Sequence, residues 1–542
     1  MAKTVDVYMP LDARAEPNRV VWPIAKQQLG ELVRVIEKCG WKANILNPGG
    51  PVSSVAQGIR TVRDARGDRF LNFIAGWAYP DFSVSPMYQL DRSVPKLMLG
   101  SCLSDYPGAV GLLAAAAGTA QVGVETSRCF VERFEDHADY ADAIEDFLKN
   151  GTYAPPQPKP IEIPVGPKAS AAARKVREQL KGSIYGAVGP RSMQMWNKIP
   201  EADFLRVFGI AREGFDGLRL LKMAEKVPAG RADDALAFLV EKGMDVRLGS
   251  DPVKHLTREM VLFQMKVYFA LLELKKQFGL DFVGVQDQLD WIEHYPATDL
   301  TLGLLNNKLR PESDGTTLVS ATEADDGAAL TMQVLKLLSG GEPVGFNDLR
   351  YWDPRQGLYW FVNSGALAPY FAEGRHDSLR GSWSERQTYM YFREGGGTSS
   401  VVVRVPGVVT WARFSYRNNQ MYLCAGRGVT DVPTEQQWRE RSAKCSPDWP
   451  HWYLRLCGRV EEQLNTNHPM TVCGDYLSEL KALAGEVGIP FECYDHRSPE
   501  EIQRGATCTG SPSRKSSSQR ARSSPPRALS CGGTAARSRS GC

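Results

Sequence analysis

Short apolar runs alternate with amphipathic stretches along the first 350 residues of the chain. The apolar runs predict buried strands, and the stretches between them have apolar residues at helical spacing. This alternation is typical of doubly wound parallel sheets and predicts two Rossmann-like α/β domains. Strands are predicted at residues 5–9, 43–46, 70–75, 95–99, 184–188 and 281–285, and helices at residues 21–38, 109–121, 140–149 and 255–278.

The hydrophobic pattern changes near residue 350. From there, β-branched and aromatic runs are separated by Gly, Pro and Asn, which predicts an antiparallel, barrel-like domain rich in β-strands. The predicted strands are residues 359–362, 389–392, 399–405, 408–416 and 420–423. The predicted organisation is an N-terminal α/β domain (1–153), a Pro-rich linker (154–168), a middle α/β domain (169–349), a β-rich C-terminal domain (350–505) and a tail (506–542).

Composition and charge narrow the class of protein. The 542 residues are 43% hydrophobic and carry a net charge of +3, but this charge is unevenly distributed along the chain. Residues 506–542 carry seven Lys or Arg and no acid, so the preceding residues have a net charge of −4. The basic, Ser/Arg-rich tail is predicted to be disordered, and its abrupt composition also fits translation outside the natural reading frame. The mildly acidic body predicts no nucleic-acid or membrane partner.

Cysteine usage and the N-terminus indicate the cellular compartment. The eleven Cys residues form no CxxC pair, which is typical of free thiols in a reducing cytoplasm. No signal peptide and no apolar run of membrane-spanning length is present in this sequence. We therefore expect a cytoplasmic protein.

Between residues 317 and 348 the sequence predicts a short strand, a helix (327–338) and a second strand (344–346), and each strand leads to a carboxylate. Glu323 ends the first strand, and Asp348 follows the second. If the strands are parallel neighbours, about 4.8 Å apart, both acids leave the same edge of one sheet, where open α/β sheets bind ligands. Such a pair is half of a site for a hard divalent cation. Taken alone, the pair fits two solvated loop acids better than a metal site.

Other chemistry-bearing residues also follow predicted strands or occupy loops. Trp77 and Gln286 each follow a strand, as a sugar contact would, although a packed indole and a capping amide explain them too. His468 lies in a loop as a candidate ligand or a structural residue. The three glycines at 395–397 could bind phosphate or form a plain turn between strands.

Several short motifs recur in one order along the chain. They are Gly-Trp-Ala-Tyr (76–79), Gln-x-Gln-x-x-Trp (286–291), Ala-Thr-Glu-x-Asp (321–325), Asp-Leu-Arg (348–350), Asn-Ser-Gly (363–365), Tyr-Phe-Arg (391–393) and Asn-His (467–468). In this order and spacing, the chain resembles the L-fucose isomerase family over residues 5–503. No single motif decides the resemblance.

The resemblance implies a metal site and a sugar pocket. Glu323 and Asp348 look like the catalytic and metal-binding carboxylates, and His468 looks like the third ligand of Mn²⁺ or another divalent cation. An arginine near the N-terminus should also face the sugar, and Arg14 and Arg19 are the candidates. The residues that look like substrate contacts are Trp77, Gln286, Ser364, Tyr391, Trp452 and Asn467.

The implied function is metal-dependent aldose–ketose isomerisation of L-fucose or D-arabinose-like sugars through a cis-enediol. Two alternatives are an isomerase of a C6-modified aldose and a non-catalytic sugar-binding protein of the same fold. The family also implies a homo-hexamer with sites at subunit interfaces, in which Trp77 could serve a neighbouring subunit's site. The partner is a small-molecule sugar.

Overall fold

A computed structural model describes residues 3–102, 106–196, 198–353, 356–446 and 448–504. The predicted disordered tail lies outside these residues. The described chain combines two parallel, helix-flanked sheets with a large antiparallel sheet, which confirms the predicted mixed α/β class. No helix within the described ranges has both the length and the apolar character needed to cross a membrane.

The first sheet has five parallel strands in the order β2-β1-β3-β4-β5. Its elements are β1 (Thr4–Tyr8), α1 (Ala15–Lys38), β2 (Lys42–Ile45), α2 (Val55–Val62), β3 (Arg69–Ile74), α3 (Asp81–Gln89), β4 (Lys96–Ser101), α4 (Gly108–Gln121), β5 (Ser127–Val131) and α5 (Ala141–Asn150). The chain reverses its winding between β1 and β3, so the segments that follow these two strands diverge at one edge. Such a switch point is where doubly wound sheets bind ligands. The segments carry Arg14 and Trp77.

The second sheet has four parallel strands in the order β10-β9-β6-β7. This part of the chain contains α6 (Pro167–Leu180), β6 (Ile184–Val188), α7 (Glu201–Asp203), β7 (Ala211–Phe215), α8 (Gly217–Glu225), α9 (Ala229–Glu241), β8 (Asp245–Val246), α10 (Arg258–Phe278), β9 (Phe282–Val285), α11 (Asp299–Leu305), β10 (Ser320–Thr322) and α12 (Asp326–Leu338). Thr322 of β10 pairs with Val285 of β9. Gln286 and Glu323 therefore leave adjacent strands at the same edge.

The third sheet is antiparallel and runs β11-β19-β16-β17-β18-β13-β12, with β20 added parallel to β17. Its part of the chain contains β11 (Gly345–Phe346), β12 (Leu349–Asp353), β13 (Leu358–Val362), β14 (Ser382–Ser384), β15 (Ser400–Val401), β16 (Val408–Arg417), β17 (Gln420–Thr430), α13 (Glu435–Ser442), β18 (His451–Leu456), β19 (Met470–Cys473), α14 (Leu477–Val487), β20 (Phe491–Cys493) and α15 (Pro499–Gln503). β14 pairs with β15 and β8 in a separate small sheet. The predicted strand at residues 389–392 is wrong, because this segment forms turns.

The strand that precedes Asp348 lies in a different sheet from the one predicted. β11 pairs antiparallel with β19 in the third sheet, whereas β10 pairs parallel with β9 in the second. The expectation of two parallel neighbours is therefore wrong, and α12 carries the chain from one sheet to the other. Only two residues of β11 pair, and so short an apolar run does not reveal its partner.

The tip of the β16–β17 hairpin joins the third sheet to the first. Asn418 and Asn419 have positive φ angles of 50° and 55°, as a two-residue type I′ turn requires. Their backbone N–H groups donate to the carbonyls of Ala120 and Gln121, at 2.8 and 2.9 Å. These carbonyls lie in the last turn of α4, where the helix itself supplies too few N–H donors. The hairpin thereby caps the helix whose other end reaches the candidate site.

Candidate active site

A cavity between the three sheets brings together most of the residues that the sequence suggested. Its lining includes polar or aromatic side chains from all three parts of the chain. The predicted residues among them are Arg14, Trp77, Glu323, Asp348, Ser364, Tyr391, Asn467 and His468. The remaining walls are largely apolar, with Pro107, Val110, Phe392 and Trp449 among them.

Antiparallel pairing places Asp348 beside His468. Phe346 of β11 pairs with Met470 of β19, and continuing this register by two residues sets Asp348 opposite His468. The Oδ1 atom of Asp348 lies 3.2 Å from Nε2 of His468 and accepts a 3.1 Å hydrogen bond from Nδ2 of Asn467. The Phe346 ring packs 4.6 Å from the imidazole, which limits its rotation.

Glu323 is the least satisfied carboxylate on the floor of the cavity. It directly follows β10 with a positive φ of 64°, and Ala324 also has a positive φ, so the backbone turns sharply here. Non-glycine residues in this conformation cost about 1–3 kcal/mol each and concentrate at functional sites. The buried Oε2 atom has no hydrogen-bond partner. Burial, assisted by nearby acids and opposed by His468, raises the pKa of Glu323 to about 8.

His468 is held by a third carboxylate, Asp325. Its Nδ1–H group donates to Oδ2 of Asp325 at 2.7 Å, so its Nε2 atom faces Asp348 and, at 3.7 Å, Oε2 of Glu323. Burial lowers the pKa of His468, but the surrounding acids outweigh burial and raise it to about 10. A carboxylate that orients a ligating histidine in this way is common in metal sites.

The role of Asp325 was missed from the sequence, although the residue stands in the Ala-Thr-Glu-x-Asp motif. Asp325 caps α12 by accepting from the Ala328 N–H and also binds the fully buried Arg413 at 2.6 Å. Burial would raise the pKa of Asp325, but Arg413 and His468 hold it at about 2. An Asp one residue before an apolar helix is an N-cap signal, so its position was predictable but its partners were not.

The donor set of Glu323, Asp348 and His468 suits a divalent cation. Two carboxylates and one imidazole are ligands for a hard or borderline ion, and the unpartnered Oε2 atom of Glu323 provides an open donor. Neighbouring ligands of an octahedral ion lie about 3 Å apart, which matches the 3.2 Å between Asp348 and His468. In the described part of the chain, no group of three or more His, Cys, Asp or Glu side chains lies close enough together to hold a metal ion as it stands. The longer separation is the 3.7 Å between Oε2 of Glu323 and Nε2 of His468.

Arg14 and Trp77 close the cavity from the first sheet. Arg14 donates to the Tyr391 carbonyl at 2.8 Å and is anchored on Asp12, which accepts from its Nε and Nη2 atoms. Arg19, the alternative, is exposed and pairs with Glu16. Of the two candidates, Arg14 is the one that lines the cavity. Trp77 lines the cavity of its own chain, and its buried Nε1–H group has no protein partner.

Two predicted substrate contacts do not reach the cavity. Trp452 is fully buried in the third sheet, where its indole N–H donates to Thr430 and its ring packs 4.7 Å from Phe371. Trp449, which precedes β18, lines the cavity instead. Gln286 accepts from the Gln288 N–H at 3.1 Å, and Gln288 reaches the cavity. In each case a nearby residue of the same type lines the cavity instead: Trp449 in place of Trp452, and Gln288 in place of Gln286.

Stability should depend on pH through His451, which lies behind the wall formed by Trp449. His451 donates from Nε2 to the Ser446 carbonyl, and burial lowers its pKa to about 4. Its pKa is thus depressed on folding, so the stabilisation is complete above about pH 6.5 and is lost as the pH falls towards 4. Between pH 7.5 and 5.5, the wild type should lose about 1 kcal/mol more free energy of unfolding than His451→Gln.

Urea unfolding of both proteins at the two pH values tests this prediction. The His451→Gln protein is the matched control because it keeps an amide donor at the site but does not titrate. Equal losses in the two proteins would show that His451 is not the group responsible.

Comparisons with known proteins find similarity to L-fucose isomerases. Residues 54–152 match the family model for the first N-terminal domain of L-fucose isomerase. The chain is 24% identical over 490 residues to L-fucose isomerase of Phocaeicola vulgatus, covering 76% of this chain and 79% of that protein. It is 23% identical to the L-fucose isomerases of Haemophilus influenzae strain PittEE and Clostridium perfringens strain 13, in each case over 80% of this chain and 81% of the relative.

The fold and these similarities define the chain as an enzyme, a sugar isomerase of the aldose–ketose class. More particularly, it is a distant relative of the L-fucose isomerases, similar to them across the greater part of its length.

Proposed function

We propose that this enzyme interconverts an aldose with the C2 to C4 stereochemistry shared by L-fucose and D-arabinose and the corresponding ketose. The main support is the meeting of two buried carboxylates, Glu323 and Asp348, with the imidazole of His468 on the floor of one cavity. The sequence similarity to L-fucose isomerases supports the substrate class.

Glu323, Asp348 and His468 would hold a divalent cation, which we propose to be Mn²⁺. When bound, such a cation would polarise the sugar carbonyl and stabilise negative charge on the neighbouring oxygen. Asp325 and Arg413 would keep His468 in the tautomer that leaves Nε2 available, because Nδ1–H is already bonded to Asp325.

We assign the proton at C2 to Glu323. Its buried Oε2 atom has no hydrogen-bond partner and is therefore available to accept a proton. Removing this proton from the open-chain aldose gives a cis-enediol, and returning a proton to C1 gives the ketose. Asp348 would move the remaining proton from O2 to O1. The aldehyde carbon is reduced as C2 is oxidised, so no redox cofactor is required.

The walls support this chemistry by binding the sugar and excluding water. Arg14 lies against Tyr391, with the guanidinium 5.3 Å from the ring centre, and joins the segment after β1 to the segment between β14 and β15 across the cavity. The unpartnered Nε1–H group of Trp77 is a suitable donor to a sugar hydroxyl. Apolar walls strengthen the electrostatic interactions at the carboxylates because they lower the local dielectric.

An assay of an aldose panel tests this function. The protein is treated with a chelator, dialysed, and assayed on L-fucose, D-arabinose and C6-modified aldoses before and after Mn²⁺ is added. We expect ketose formation only after Mn²⁺ is restored, with L-fucose or D-arabinose among the best substrates. Preference for a C6-modified sugar would favour the alternative isomerase, and metal-independent turnover would contradict the metal assignment.

The hexameric state and the cytoplasmic location remain predictions. Because Trp77 and Arg14 line the cavity of their own chain, a neighbouring subunit is not needed to supply these two side chains. Sedimentation of the purified protein would give the oligomeric state directly.

A further inference from the structure

Gln387 is a buried polar residue that joins two walls of the cavity without reaching it. It lies between β14 and β15 and is fully buried. Its Nε2 group donates to Oδ2 of Asp299 at 2.6 Å and to the Ser364 carbonyl, and its Oε1 atom accepts from the Trp449 indole at 2.8 Å. Both polar ends of this one amide are therefore bonded to residues that line or support the cavity.

Each of these contacts fixes a group in the cavity wall. Asp299 also accepts from the Ser364 hydroxyl at 3.3 Å, so Gln387 and Asp299 together hold Ser364 by its main chain and its side chain. Trp449 packs 4.9 Å from the Arg350 guanidinium and 6.3 Å from the Tyr391 ring. The Trp449 indole N–H donates its hydrogen bond to Gln387, and this bond selects which way the ring faces between those two neighbours.

The backbone of Gln387 explains the glycine triplet of the sequence. The Gln387 N–H donates to the Gly396 carbonyl at 2.9 Å. A Cβ at Gly396 would lie 2.8 Å from the backbone of Ala297, and its φ of 111° is unfavourable for other residues. The triplet therefore allows a close approach of backbones that presents Gln387 to the wall.

We propose that Gln387 is a positioning residue that sets the orientation of Trp449 and Ser364 and thereby the selectivity for the end of the sugar remote from C1. This inference rests on the proposed function. If C1 and C2 of the sugar lie beside Glu323 and Asp348, its remote carbons contact the cavity walls. L-Fucose and D-arabinose share stereochemistry at C2 to C4 and differ in the methyl group of L-fucose. The ratio of their kcat/KM values therefore measures wall contacts while cancelling most of the shared chemistry.

Gln264 provides a matched control. It is also a fully buried glutamine, and its amide donates to the carbonyls of Ala297 and Gly397 and accepts from the Gly397 N–H. It supports the other side of the same triplet, and its side-chain partners, Ala297 and Gly397, do not line the cavity. A change that acts only through folding should be the same for the two glutamines.

The experiment compares Gln387→Met, Gln264→Met, Trp449→Phe and the double variant Gln387→Met/Trp449→Phe. We expect Gln387→Met to change the L-fucose to D-arabinose ratio of kcat/KM by about tenfold, as losing a buried hydrogen bond at a specificity wall would. Gln264→Met should lower Tm and leave the ratio within about twofold. In the Trp449→Phe background, which lacks the indole N–H, Gln387→Met should change the ratio much less, because the two residues act as one unit.

A second readout does not depend on turnover. In spectra of protein carrying ¹⁵N-labelled tryptophan, the Trp449 indole N–H, assigned by its absence in Trp449→Phe, should shift in Gln387→Met and not in Gln264→Met. If Gln387→Met is poorly folded, Gln387→Asn replaces it, since the shorter amide cannot reach Asp299 and Trp449 together.

The outcomes separate this inference from the proposed function. A wild-type protein inactive on both sugars would contradict the function, and the indole shift would still decide the positioning role. An unchanged sugar ratio together with an unmoved indole signal in folded Gln387→Met would overturn the inference. The same would follow if the ratio changed equally in the wild-type and Trp449→Phe backgrounds.

Discussion

Glu323→Gln is expected to lower kcat by about 10³-fold, the usual contribution of a positioned general base. Glutamine keeps the shape of the side chain but cannot take the proton from C2. Because burial already disfavours the charged form of Glu323 and raises its pKa to about 8, the substitution should not reduce folding stability. Steady-state kinetics with Mn²⁺ present, together with thermal unfolding, measure the two effects separately.

Glu461→Gln is the control for this substitution. Glu461 is equally buried and accepts a 2.8 Å hydrogen bond from Tyr359, but it does not line the cavity. Its replacement should leave kcat within about twofold, as expected for a residue away from the site. A Glu323→Gln protein with the wild-type rate would show that another group removes the proton.

Asp325→Asn should cause the largest loss of stability, about 3–5 kcal/mol of the free energy of unfolding, because it leaves the buried Arg413 without its charged partner. The salt bridge is 2.6 Å long between side chains that are almost completely buried. The same substitution also weakens the hold on His468, so divalent-cation affinity should fall about 10–100-fold. Urea unfolding and calorimetric titration with Mn²⁺ measure the two losses.

Asp326→Asn separates this effect from the general cost of altering a buried acid at the start of α12. Asp326 is the next residue and equally buried, but its nearest cation, Arg212, is 3.9 Å away, and burial raises its pKa to about 6. We expect a loss of less than about 1 kcal/mol, because burial already disfavours the charged form of Asp326, and an unchanged Mn²⁺ affinity. Equal effects of the two substitutions would argue against a special role for Asp325.

The local pattern of the sequence predicted elements well because it records local physics. The strand at Ile184–Val188 follows from a continuous apolar run, and the helix ending at Leu338 follows from apolar residues at helical spacing. The partner of β11 was not predictable in this way. Its pairing with β19 joins residues more than 120 positions apart, and this pairing is what brings Asp348 to His468.

The candidate site was likewise predictable from the sequence only in part. Glu323, Asp348 and His468 could be nominated from residue type and motif order, and the structure brings them to one cavity. The choice between neighbouring side chains of one type depended on the packing of whole sheets, as Trp449 and Trp452 illustrate. Asp325 and Gln387 escaped notice for a related reason, since their roles lie in buried bonds to distant residues.

The central claim is that a side chain of this cavity moves a proton between C2 and C1 of an aldose. Incubating the Mn²⁺-loaded enzyme with L-fucose in D₂O, and following C1 and C2 by NMR through many turnovers at equilibrium, tests it most directly. We predict that solvent deuterium enters C1 of the ketose and C2 of the recovered aldose, and that Glu323→Gln stops this exchange. Ketose formation with the original hydrogen fully retained would indicate a hydride shift and contradict the proposed role of Glu323.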